Sequence, residues 1–195
     1  ESGATMLRVA KNEEERLLFW KGRKSAFPAV GRISPDYYCM DGTIPRSELA
    51  AVLAQITKFS EQHGLDVANV FHAGDGNLHP LILYDANKAG EIERAEAFGA
   101  DILNLCIEVG GTITGEHGVG VEKIDQMCIQ FTPEELELFH GVKSAFDESR
   151  ILNPGKAVPT LSRCAEFGAM HVHTDGSQQT HVGLNAQKYS DLERF

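Results

Sequence analysis

The stretch that most constrains this chain is Val70-Phe71-His72-Ala73-Gly74-Asp75-Gly76-Asn77-Leu78-His79-Pro80-Leu81. Two histidines flank a cluster of turn formers, Gly74-Asp75-Gly76-Asn77. Apolar residues continue on either side, Val67, Val70 and Phe71 before it and Leu81, Ile82 and Leu83 after it. Apolar run, turn cluster, apolar run is the pattern of a β-hairpin, here spanning about residues 67–84. Side chains that face each other across a strand pair have Cβ atoms roughly 5 Å apart. Two imidazoles at the mouth of one hairpin can therefore share a ligand, and neutral imidazole binds divalent transition metals well.

Two imidazoles rarely complete a metal site. A third donor is offered by Gly110-Gly111-Thr112-Ile113-Thr114-Gly115-Glu116-His117-Gly118-Val119-Gly120, which sets a carboxylate beside an imidazole among glycines that let backbone approach a ligand closely. Neither His-Glu-x-x-His nor His-x-x-Glu-His occurs, so this is not the helical zinc-protease spacing. Gly115, Gly118 and Gly120 run in the wrong order for a dinucleotide fingerprint. On spacing alone two readings stand. One is a metal held by His72, His79 and Glu116; the other is two glycine-rich turns with satisfied polar side chains.

The 195 residues suffice for one well-cored domain, and 42% apolar with 24% charged residues is the balance of a globular protein. A net charge of −10 argues against nucleic acid as a partner, since phosphate binding needs a basic face. No apolar run approaches the roughly 20 residues of a membrane-spanning helix, and no signal peptide opens the chain. Cys39, Cys106, Cys128 and Cys164 show no Cys-x-x-Cys spacing. Cys106 and Cys128 fall in apolar helical patterns, as reduced core residues do, which suits a cytoplasmic protein.

Along the chain, Asn12-Glu13-Glu14-Glu15 resembles a capping box. It opens a helix with an apolar face of Leu17, Leu18, Phe19 and Trp20 that Pro28 closes. Tyr37 to Met40 reads as a strand ended by Asp41-Gly42. A helix follows from Pro45, with Leu49, Val52, Leu53, Ile56 and Phe59 at helical spacing and Gly64 as its stop. After the hairpin, a helix over roughly 90–109 is expected to bury Ile92, Phe98, Ile102 and Val109, with a brief strand at Thr112-Ile113-Thr114. Strand, helix, strand, strand, helix, strand is the order of an α+β, ferredoxin-like antiparallel sheet with helices packed on one face. Thr132-Pro133-Glu134-Glu135 begins a further helix with a capping box, and Asn153-Pro154-Gly155 ends the ordered pattern. We therefore divide the chain into a domain over 1–159 and a tail over 160–195, in which His171, His173 and His181 read as solvated.

Together, His72-Ala-Gly-Asp-Gly-Asn-Leu-His79, Gly115-Glu-His-Gly-Val-Gly120 and Leu152-Asn-Pro-Gly-Lys156 resemble the C-terminal half of FAD-linked 2-hydroxy acid oxidases. This family includes glycolate oxidases and D-lactate dehydrogenases and is related to vanillyl-alcohol oxidase. The likeness extends through Trp20 to Pro45 and the segment Arg163 to His173. It implies that His72, His79 and Glu116 hold one divalent metal (zinc, manganese or iron), that His117 is the catalytic base, and that Arg23 pairs with the substrate carboxylate. It implies an FAD contact at Asn153, with most of the FAD held by an N-terminal domain that this chain, starting at Glu1, lacks. It further implies a small 2-hydroxy acid substrate and partner subunits of a glycolate oxidase type, one of them an iron-sulfur protein, with attachment at most peripheral to a membrane. Some relatives carry a lysine where this chain has Cys39; without that charge a monocarboxylate such as glycolate or D-lactate fits better than a dicarboxylate. Two rivals from other classes remain open, a metal-dependent hydrolase and a non-catalytic metal-binding assembly module.

Overall fold

The computed structural model describes residues 5–160, 163 and 164, so His171, His173 and His181 lie outside the described residues. Its centre is a three-stranded antiparallel sheet of β1 (Asp36–Cys39), β2 (Val67–His72) and β3 (Asn77–Tyr84), in the order β1-β3-β2. The hairpin forms where the two apolar runs and their turn cluster placed it. Ala73–Gly76 is the turn, Asp75 and Gly76 donate backbone N–H groups to His72 O, and Gly76 takes φ +72°, a conformation open to glycine at little cost. The register pairs Val70 with His79 and His72 with Asn77, so the two histidines are diagonal neighbours on one face rather than directly opposite.

The expected fourth strand is reduced to a bridge. Thr112 pairs with Thr43 just beyond β1, so the Thr112 segment flanks the sheet on the β1 side, where a ferredoxin-like fold carries its last strand. Helices α3 (Leu49–His63) and α4 (Glu91–Glu108) pack on one face. There Val52, Ile56, Leu78, Ile82, Phe98 and Ile102 form the main core, with Tyr38 against its edge. Gly64 ends α3 with φ +62°, as expected. Of the residues assigned to the buried face of α4, Phe98 and Ile102 are fully buried and Val109 packs on the core, but Ile92 is exposed; Ala95, Leu103 and Cys106 complete the face.

The opposite face of the sheet carries Cys39, Ala68, Val70, His79, Leu81 and Leu83, because residues of one parity share a face. Phe27 and Val30 of the short helix α2 (Ala26–Val30) cover part of it. The first helix, α1 (Glu13–Lys24), has Asn12 as its cap, with Asn12 Oδ1 accepting from Glu15 N at 2.9 Å, but the reciprocal half of the expected capping box does not form: Glu15 Oε2 accepts from Lys11 N at 2.7 Å instead. Its apolar face is not buried, and Leu17, Leu18, Phe19 and Trp20 are all exposed. Pro28 does not close α1 but sits in the first turn of α2, where its missing N–H costs no helical bond.

Two elements complete the described chain. Helix α5 (Ile124–Gln130), the apolar helical pattern read around Cys128, packs Met127 and Cys128 with Met40, Leu103 and Ile113 in a second core. Helix α6 (Pro133–Phe146) has the full capping box between Thr132 and Glu135. Cys106 is a free, buried thiol as expected. Cys128 is not reduced: it forms a disulfide with Cys164, whose burial beside α5 brings the two sulfurs together.

Candidate metal centre

The site assembles on the sheet face opposite α3 and α4, where β3 meets the Gly115–Gly120 loop. His79 projects from the middle of β3 and is almost fully enclosed, its side chain 4% exposed. The Phe27 ring meets it edge-on at 6.4 Å. His72, at the end of β2, stands nearly perpendicular to it, with ring centroids 5.4 Å apart. Glu116 Oε1 lies 2.8 Å from His79 Nε2 and 3.8 Å from His72 Nε2. All three predicted ligands thus converge, with their donor atoms within 4.8 Å of one another. Donors on a tetrahedral ion with bonds of about 2.0–2.2 Å sit roughly 3.3–3.5 Å apart. The two Glu116 distances bracket that spacing, and two imidazoles with one carboxylate suit a borderline divalent ion.

Burial pushes the His79 imidazolium below its ordinary range, and only in second place does the Glu116 carboxylate pull it back up. Neutral imidazole is the ligating form. Among the described residues, Nδ1 of His79 has no hydrogen-bond partner. An unsatisfied buried nitrogen is costly, on the order of 1–3 kcal/mol, and so points to a site that is completed by something else.

His117 stacks over the face of His79 at 5.1 Å with 19° between ring planes, while Glu116 meets the imidazole edge. Adjacent loop residues thus address one histidine from two directions. The loop is held by a residue that sequence reasoning took only for the end of a strand. Asp41 is fully buried, and its Oδ2 accepts the backbone N–H groups of Gly115, Glu116 and His117 at 3.1, 2.8 and 2.6 Å. Lys123, itself buried, makes an ion pair with Asp41. Burial pushes the Lys123 ammonium down to about 8. Asn77 packs against Gly115, where a Cβ would collide with its amide.

The other predicted residues are placed but not joined to this cluster. Arg23 is half-buried in the last turn of α1, four residues before Phe27, and its guanidinium makes no ion pair among the described residues. Asn153 is exposed with φ +46° in the loop after α6. That loop is tied to the site loop by Ala157 N donating to Gly120 O at 2.7 Å. Cys39, diagonal to His79 across the β1–β3 pair, forms a second grouping with His79 and His117. Burial raises its thiol to about 11.

Comparison with known proteins agrees with this architecture. The family described as FAD linked oxidases, C-terminal domain, matches residues 1–157. The chain belongs to that family. It is 66% identical over its whole length to glycolate oxidase subunit GlcD of Escherichia coli, of which it spans 37%, and 39% identical over 153 residues to the same-named subunit of Bacillus subtilis, of which it spans 33%. A D-lactate dehydrogenase of Archaeoglobus fulgidus is 36% identical over 124 residues, 63% of this chain and 27% of that protein. The chain therefore spans between about a quarter and little more than a third of the length of these relatives. Among the described residues no helix is long and apolar enough to cross a membrane.

Proposed function

We propose that this chain is the substrate- and metal-binding part of an FAD-dependent oxidoreductase that converts a small 2-hydroxy acid, such as glycolate or D-lactate, to the 2-oxo acid. The observation that carries the reading is the convergence of His72, His79 and Glu116 beside the stacked His117 in a family of FAD linked oxidases. When bound, a divalent cation (zinc, manganese or iron) would supply positive charge that favours loss of the hydroxyl proton, and FAD, held mainly by another domain, would accept the hydride.

The chain's own residues divide the remaining work. His72, His79 and Glu116 hold the cation, and the enclosure of His79 keeps it neutral for that role. His117, exposed and anchored through its backbone N–H to Asp41, takes the hydroxyl proton on its imidazole. Arg23 pairs with the substrate carboxylate in a charge-assisted contact. Cys39 brings no positive charge for a second carboxylate, which favours a monocarboxylate. Asn153 contacts the flavin. The domain ends near residue 159, and the segment that follows is tied back to it at Cys164 by the disulfide to Cys128. Further subunits, one an iron-sulfur protein, pass the electrons on, and the assembly is cytoplasmic, at most peripheral to a membrane.

The test is flavin reduction by glycolate and D-lactate, followed by stopped flow in the full-length enzyme. His117→Ala is expected to retain metal and slow reduction by about 10²–10⁴, the usual contribution of a positioned general base. Arg23→Ala is expected to weaken substrate binding by about 1.5–3 kcal/mol. Wild-type reduction by His117→Ala refutes the assignment of the base. Turnover of an ester or amide by the metal-loaded chain without flavin would favour a hydrolase instead.

A further inference from the structure

The structure assigns a second cation-binding set to this face, Cys39, His79 and His117, which takes a soft, thiophilic divalent ion in competition with the first. Donor atoms of these three residues also lie within 4.8 Å of one another. The set follows from the register. Cys39 pairs with Leu81, so it sits diagonally across from His79 on the same face of the sheet. Its thiol has only a weak contact at 3.9 Å with Met40 O, and is neither disulfide-bonded nor fully buried. The second observation is His79, enclosed to 4% exposure, whose Nδ1 lacks a partner while Nε2 meets Glu116. One imidazole thus serves two neighbouring donor sets.

The two sets differ in chemistry. Two nitrogens with a carboxylate suit zinc, manganese or iron, whereas thiolate with two nitrogens selects softer ions such as cadmium, and zinc in excess. Binding replaces the Cys39 S–H bond by a sulfur–metal bond and releases one proton to solvent. His117 is exposed, so its ring can turn from stacking to ligation without disturbing the core. An ion held here occupies the imidazole to which the preceding subsection gives the proton. A soft cation at this position therefore inhibits that reaction, and this one consequence rests on the assignment of His117; binding itself does not.

The test titrates the purified protein with Cd²⁺ alone and reads thiolate-to-metal charge-transfer absorption, as a difference spectrum between wild type and Cys39→Ser. The expected result is a saturable band that is lost in Cys39→Ser and in His79→Ala, and kept in His72→Ala. Zinc retention measured by elemental analysis should behave oppositely, surviving Cys39→Ser and falling in His72→Ala. A wild type without the band, or a band unchanged in Cys39→Ser, overturns the second set. Zinc retention unaffected by His72→Ala would instead count against the first set, so the two failures are distinguishable.

Discussion

Asp41 bonds to three successive loop amides and pairs with Lys123, both side chains being buried. A buried carboxylate so placed holds the backbone from which Glu116 and His117 project, and so positions the ligand and the base proposed above. Removing one partner of a buried ion pair leaves an uncompensated charge, a cost of about 3–5 kcal/mol. Asp41→Asn should lower the unfolding free energy by about that much in urea. Asp41→Asn combined with Lys123→Met should recover part of the loss, because the orphaned ammonium is gone. A double variant no more stable than Asp41→Asn would show that the pair is not what the stability depends on. The residue scale also shows what was legible. His72, His79, Glu116 and His117 were readable because their types are chemically distinctive and their glycine-rich settings local. Asp41 was not, since an Asp-Gly after a strand has the same signature whether it merely turns the chain or binds amides more than 70 residues away.

At the scale of elements, local signals were readable and distant partners were not. The caps at Asn12 and Thr132 act over three residues and both form, although only Thr132 completes the reciprocal box. The apolar face of α1 was legible as a face, but its exposure was not, because periodicity shows that a helix has such a face and not whether this chain covers it. The fourth strand shrank to the Thr43–Thr112 bridge for a similar reason: a three-residue apolar–polar alternation cannot fix how far pairing runs. Asp147, at the end of α6, offers an element-scale test. The Lys143 ammonium first, and the Leu152 and Ile151 amides with it, hold its carboxyl below the usual range. A lowered carboxyl pKa stabilises the fold above the unfolded value, about 4, and that contribution is lost as pH falls through the folded value. Asp147→Asn should thus unfold at lower urea than wild type at neutral pH, with the difference shrinking below about pH 4. An equal gap at pH 7 and at pH 2.5 would show that the charge is not the cause.

For the whole molecule, the decisive constraint was one that helical periodicity conceals. Cys128 falls in an apolar helical pattern, and a thiol there packs like any small apolar side chain. Only the chain's return at Cys164, 36 residues later, turns it into a cross-link between α5 and the segment beyond the family-matched region. In the chain-entropy view, closing a loop of that size restricts the unfolded state by about 3–4 kcal/mol, and loss of a native disulfide in practice costs about 2–5 kcal/mol. Both cysteines are buried, so their sulfurs also contribute to the second core with Met40, Leu103 and Met127. Replacing both by serine should lower the urea midpoint, and a reducing agent should move wild type most of the way to the same value. Zinc retention should survive in the folded variant, because His72 and His79 belong to the β2–β3 hairpin, whose strand pairing involves neither α5 nor the disulfide. A wild type whose midpoint does not move on reduction would show that the cross-link adds nothing to the stability of the native chain.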